Sequence, residues 1–160
     1  MLVEIFGLVF SIILGTIGHF LYDWSNGNDF VGFLFAKNES TWEHIKLGVT
    51  PIILWTIVEL LTFDFSCLFF AKFISIVVFI MLLLVIYYSY KYIFKINNIV
   101  FDIFLFYLCL SISYIVSIKL LSVSCGILLN IVGFIGILSI IYLYFRFNKK
   151  TPNLIIFKEP

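Results

Sequence analysis

The chain has 160 residues, of which 63% are hydrophobic and 12% charged, with a formal net charge of +1. Soluble domains run nearer about 45–50% apolar and about 25% charged. The composition therefore excludes a soluble globular domain, a disordered chain and a nucleic-acid binder, which needs a strong basic excess. An integral membrane protein remains.

A helix needs about 20 mainly apolar residues to cross a bilayer. The first such run covers residues 2–22 and is interrupted only by Glu4 and His19. No Lys or Arg precedes it, and it is too long for the apolar region of a signal peptide, so it is expected to remain as a span. A polar stretch, 23–41, follows and encloses an apolar island, 30–36. The island is too short to span and reads either as a re-entrant or interfacial segment lidding a site, or as a loop on the membrane surface. Further runs cover 42–62, 67–90, 99–118 and 121–145, with breaks at 63–66 and 91–98 and a short tail from Arg146. The expected fold is all-α: one domain, 1–160, forming an integral membrane bundle of five transmembrane helices.

Five spans place the termini on opposite sides. The side holding the C-terminus carries Lys37, Lys46, Lys91, Lys95, Arg146, Lys149, Lys150 and Lys158, and the other only Lys72 and Lys119. Positive residues accumulate in the cytoplasm, so the N-terminus is expected outside and the C-terminus inside. Tyr87, Tyr88, Tyr90 and Tyr92 sit beside Lys91 and Lys95 like an interfacial belt. Three cysteines, Cys67, Cys109 and Cys125, show no CxxC spacing and read as small packing residues.

Small residues spaced four apart let helices approach closely. Gly7, Ser11 and Gly15 form such a stripe in the first run, and Gly48, Pro51 and Trp55 form one in the second. Pro51 frees a carbonyl one turn back. The fourth run carries Phe106, Cys109, Ser113 and Ser117 on one side, and the fifth carries Gly126, Asn130 and Gly133. Each of the first two runs also holds one Glu and one His fifteen residues apart, about 22 Å along a helix. Because these runs are antiparallel, His19 and His44 are expected at the cytoplasmic end and Glu4 and Glu59 at the outer end.

Both histidines lie in the richest polar segments, 18–25 and 38–46. Capping explains part of the second one. Ser40-Thr41-Trp42-Glu43 fits the capping box, in which Glu43 reaches back to the cap amide, and Glu43 and Lys46 stand three apart on one helix face. It does not explain the histidines. Two imidazoles with a carboxylate can make a metal site with an open position for water. His19, His44 and Asp102 are the candidate ligands for a divalent metal such as zinc, with Glu43 and His44 as catalytic candidates. Tyr22, Trp24, Asn38, Glu39 and Lys46 are candidate substrate contacts, and Glu4 and Glu59 a candidate proton or substrate path. There is no HExxH motif.

Gly18-His19-Phe20-Leu21-Tyr22-Asp23-Trp24-Ser25 and Asn38-Glu39-Ser40-Thr41-Trp42-Glu43-His44-Ile45-Lys46 resemble the motifs of a family of small bacterial polytopic membrane proteins of unknown function. The tail from Pro152 is similar to that family's Pro-x-Leu-x-Leu-Phe-x-Asp-Pro ending, with Ile156 and Glu159 in place of Leu and Asp. The resemblance implies a bacterial cytoplasmic membrane and supplies no activity or cofactor. The short segment Gly18 to Tyr22 is also loosely similar to the VanZ-like group. Two functions follow as expectations. The first is a metal-assisted hydrolase or transferase acting on a lipid or hydrophobic small molecule. The second is a small transporter, or a subunit that pairs with its own copy or another membrane protein.

Overall fold

A computed structural model describes residues 2–93, 95 and 98–158. Three positions of the 91–98 connection, 94, 96 and 97, and the Glu159-Pro160 ending of the tail motif lie outside the described residues. The chain forms α1 (Leu2–Trp24), α2 (Asp29–Leu34), α3 (Thr41–Thr62), α4 (Leu68–Tyr88), α5 (Ile99–Leu121) and α6 (Ile127–Lys149). A π-helical turn, Ser89–Ile93, prolongs α4, and a 3₁₀ turn, Ile155–Phe157, closes the tail. There is no strand among the described residues. All the long helices, α1 and α3 through α6, are long and apolar enough to cross a membrane.

The helix starts follow local chemistry. Asn28, Ser40 and Asn98 are N-caps whose side-chain oxygens accept early amides of α2, α3 and α5. The fifth long helix does not open at residue 121, where the apolar run places it, because Leu121 still belongs to α5. Ser122, Ser124 and Gly126 break the run, and α6 opens at Ile127 behind Gly126. It then continues past the apolar run to Lys149, with Arg146 and Lys149 in its last turn, where cations suit the negative helix end.

α4 packs against α3, α5 and α6, while α1 lies against α3 and α5. Val49, Ile52, Ile76, Phe79, Leu105, Cys109 and Leu110 fill the centre and are fully buried. Large apolar side chains such as Phe6, Leu61, Met81, Phe104 and Leu128 cover the outside. This inside-out economy suits lipid rather than water.

The small-residue stripes lie at the contacts. Pro51 has no amide to offer Leu47, and Gly15 of α1 sits against that carbonyl: a Cβ at Gly15 would stand 2.7 Å from Leu47 O. Likewise, a Cβ at Gly133 would stand 2.4 Å from the Phe69 carbonyl carbon of α4. The freed carbonyl that the proline implies is thus covered by the one residue able to come that close.

The cysteine reading needs correction. Cys67 and Cys125 form a disulfide across a sequence separation of 58 residues, and only Cys109 is a buried free thiol. The loop between them hides the pairing in the sequence, but the turns preceding α4 and α6 bring the two together. Asn130 reinforces this end. Its Nδ2 donates to Ser66 O at 2.6 Å, and its Oδ1 accepts from the Phe70 amide at 3.3 Å.

Two outcomes are expected. Thiol titration of the denatured protein without reductant should find one thiol per chain, rising to three after reduction; three thiols at the outset would contradict the disulfide. Gly15→Ala should lower stability by about 1–3 kcal/mol through overpacking against main chain, read as a lower unfolding midpoint in detergent.

Candidate metal centre

The last turns of α1 and the first turn of α3 bring the two histidines together, as the antiparallel arrangement requires. Their rings meet edge to face with centroids 5.3 Å apart. Glu39, in the turn before α3, completes the group. Its Oε2 lies 3.6 Å from His19 Nε2 and 3.7 Å from His44 Nε2. The three potential ligand atoms all lie within 4.8 Å of one another. A closed tetrahedral site with bonds of about 2.1 Å has ligand atoms about 3.4 Å apart, so this set is slightly open.

The second nitrogen of His44 is committed. Nδ1 stands 3.0 Å from Ser40 O, and a carbonyl only accepts, so Nδ1 carries the hydrogen. Neutral His44 then presents an unprotonated Nε2 toward Glu39 and His19. A backbone carbonyl that fixes the tautomer and ring orientation is the usual outer support of a metal-ligating histidine. His19 stacks on Phe20, which stacks on Trp24. Both histidines are about a third exposed and Glu39 more so, at 34%, 33% and 62% by side chain, which leaves room for water or substrate.

The other candidate residues are placed differently. Asp102 is not in the three-residue group. It lies within electrostatic range of His44, with a buried Oδ1 that has no hydrogen-bond partner among the described residues. Glu43 and Lys46 point elsewhere: their side chains pair at 2.5 Å, and Lys46 is 1% exposed. Glu43 does not return to the Ser40 amide as a full capping box would. It accepts the Lys37 amide at 2.8 Å, while Asn38 Oδ1 accepts the Ser40 amide at 3.0 Å. Ser40 keeps its half of the box, accepting from Glu43 N.

This pair locks the apolar island in place. Lys46 Nζ donates to Gly32 O at 2.8 Å and Thr50 Oγ1 to Leu34 O at 2.7 Å. Two carbonyls at the end of α2 are thereby satisfied by side chains of the first three turns of α3, and Phe35 and Ala36 are buried behind them. The segment is helical from Phe30 to Leu34 and, with Phe35 and Ala36 buried after it, packs against the bundle rather than forming a loose loop. Beside it, Leu21, Trp24, Phe30, Val31, Leu34 and Phe35, with Ser25, line an open apolar cleft of about 290 Å³. The Tyr22 ring faces Lys37 Nζ at 5.5 Å.

At the opposite end, Glu4 and Glu59 converge on a residue that sequence reasoning took for a boundary charge. Lys72 is fully buried and bridges Glu4 and Glu59, the latter at 2.7 Å. The available signal was Lys72-x-x-Ser75, a polar pair on one helix face inside an apolar run. Val49, Ile52, Ile76, Phe79 and Leu105 belong to the buried apolar core of the bundle.

The chain is thus a small all-helical bundle with five helices long and apolar enough to cross a membrane and a two-histidine, one-carboxylate cluster at one end. The chain belongs to a family of unknown function, DUF6512, whose profile matches residues 3–160. Neither curated proteins nor solved structures provide a match.

Lys46→Met should strand Glu43 as a buried unpaired charge and cost about 3–5 kcal/mol. Adding Glu43→Leu should recover most of that loss. A double variant no more stable than Lys46→Met would show that the loss comes from the missing bond of Lys46 to Gly32 O rather than from the stranded charge.

Proposed function

We propose that this is a multi-pass membrane protein which holds a divalent metal ion, such as zinc, through His19, His44 and Glu39, and uses it for hydrolysis or group transfer on a lipid-like substrate. The observation that carries the reading is the fixed tautomer of His44. The Ser40 carbonyl takes Nδ1–H and turns a free Nε2 toward the other two ligand atoms. A divalent ion held by three protein ligands keeps a fourth position for water and makes that water a nucleophile near neutral pH. Asp102 is the nearby carboxyl suited to accept a proton. The apolar cleft between the end of α1 and α2 is suited to an acyl or similar chain.

In this reading the N-terminus is outside and the metal site lies at the cytoplasmic boundary. Withdrawing the buried Lys46 and Lys72 from the charge comparison leaves seven cations against one, a sharper positive-inside bias. The disulfide then falls on the outer side, where oxidising conditions let such bonds persist. The alternative, a transporter or complex subunit, draws its support from the buried acid pair at the other end.

Protein purified with zinc present should retain near one equivalent by elemental analysis. His19→Ala, His44→Ala and Glu39→Ala should each reduce this at least about tenfold, the scale of losing a ligand or its support, with helical content by circular dichroism unchanged. Asp102→Asn should keep the metal. No metal in the parent protein, or full retention in His44→Ala, would overturn the reading.

A further inference from the structure

We propose that Glu4 and Glu59 hold one exchangeable proton between them, forming a proton-binding site on Lys72 at the end of the bundle opposite the histidines. The inference is independent of the metal reading, since no residue is shared.

Glu4 of α1, Glu59 of α3 and Lys72 of α4 are 1%, 0% and 0% exposed. Two carboxylates and one ammonium leave a net charge of −1 in apolar surroundings, and an uncompensated buried charge is strongly unfavourable. Hydrogen bonding shows the same deficit. Lys72 Nζ donates to Glu4 Oε1, and Trp55 Nε1 donates to Glu59 Oε1 at 3.1 Å. Glu4 Oε2 and Glu59 Oε2 are buried, and among the described residues neither has a hydrogen-bond partner, although the latter stands 2.7 Å from Lys72 Nζ as an ion pair. The two carboxyl groups converge on the same Lys72 ammonium. Two facing carboxylates repel, whereas a carboxylic acid donates to a carboxylate. A single proton therefore neutralises the cluster and supplies the missing donor.

Among the described residues, the remaining polar neighbours do not supply it. Tyr114 of α5 presents its ring to Lys72 at 5.3 Å, and its hydroxyl is shared with Ser11 at 2.7 Å. α2 and α6 contribute no ion pair to the cluster. Glu4 stands in the first turn of α1, so exchange with water requires passing one helix turn.

Infrared spectroscopy of the purified full chain at neutral pH reads the proton directly, as the carbonyl band of a protonated carboxylic acid. Glu4→Gln and Glu59→Gln each leave one carboxylate facing Lys72, so both single variants should lose one equivalent of that band. Asp102→Asn serves as the control for any other buried acid. Each single variant should melt within about 5 °C of the parent, and the double variant, with Lys72 unpaired, should fall by about 10 °C or more. A band unchanged in both single variants overturns the proposal. So does failure of both to fold, because replacing a neutral acid by its amide is nearly isosteric. If only one folds, its band alone decides. Zinc content stays at the parent level in every variant that folds, which separates this test from that of the metal site.

Discussion

A charge inside an apolar bundle must be paired, and the arrangement of the whole chain follows from that constraint. Lys72 joins α4 to both α1 and α3 through Glu4 and Glu59. Lys46 joins α3 to the end of α2 through Glu43 and Gly32 O. Between these two levels the packing is apolar and close, with Gly15 against a main-chain carbonyl, and beyond the Lys72 level Gly133 sits against the α4 main chain. Net dispersion and close approach hold helices together where water offers no hydrophobic drive. The ion pairs then fix which helices meet, because breaking a buried pair costs more than the pair contributes.

The two ends are therefore unlike. Lys72 and its carboxylates are sealed, and the α4–α6 clamp beyond them, Cys67–Cys125 with Asn130, involves no exposed ionic group. At the other end, His19, Glu39 and His44 are partly open and linked to one another only loosely. Backbone supports His44, through Ser40 O, and the adjoining Lys46 is occupied elsewhere. A cluster in which His44 commits its outer nitrogen and leaves the inner one free is arranged to receive something.

The apolar runs made the long helices legible, because length and hydropathy are local properties. The boundary of α6 was not, since serines and a glycine inside an apolar stretch weigh little in composition yet end a helix. The stripes of Gly7, Gly15, Gly48 and Gly133 also mapped onto contacts. What escaped was pairing across the chain. The disulfide spans 58 residues, Lys72 pairs with carboxylates of two other helices, and Glu39 is the carboxylate that stands beside both histidines. Each of these depends on which helix lies beside which. The pairing of His19 with His44, and of Glu4 with Glu59, was legible because matched fifteen-residue spacings on two antiparallel helices constrain both ends at once.

The account rests most heavily on three side chains from separate segments acting as one coordination shell. X-ray absorption at the zinc edge of the metal-loaded protein tests this directly. The account predicts two imidazole nitrogens and one carboxylate oxygen at about 2.0–2.2 Å, with one imidazole contribution lost in His44→Ala. A shell of oxygen alone, or one containing sulfur, would contradict it.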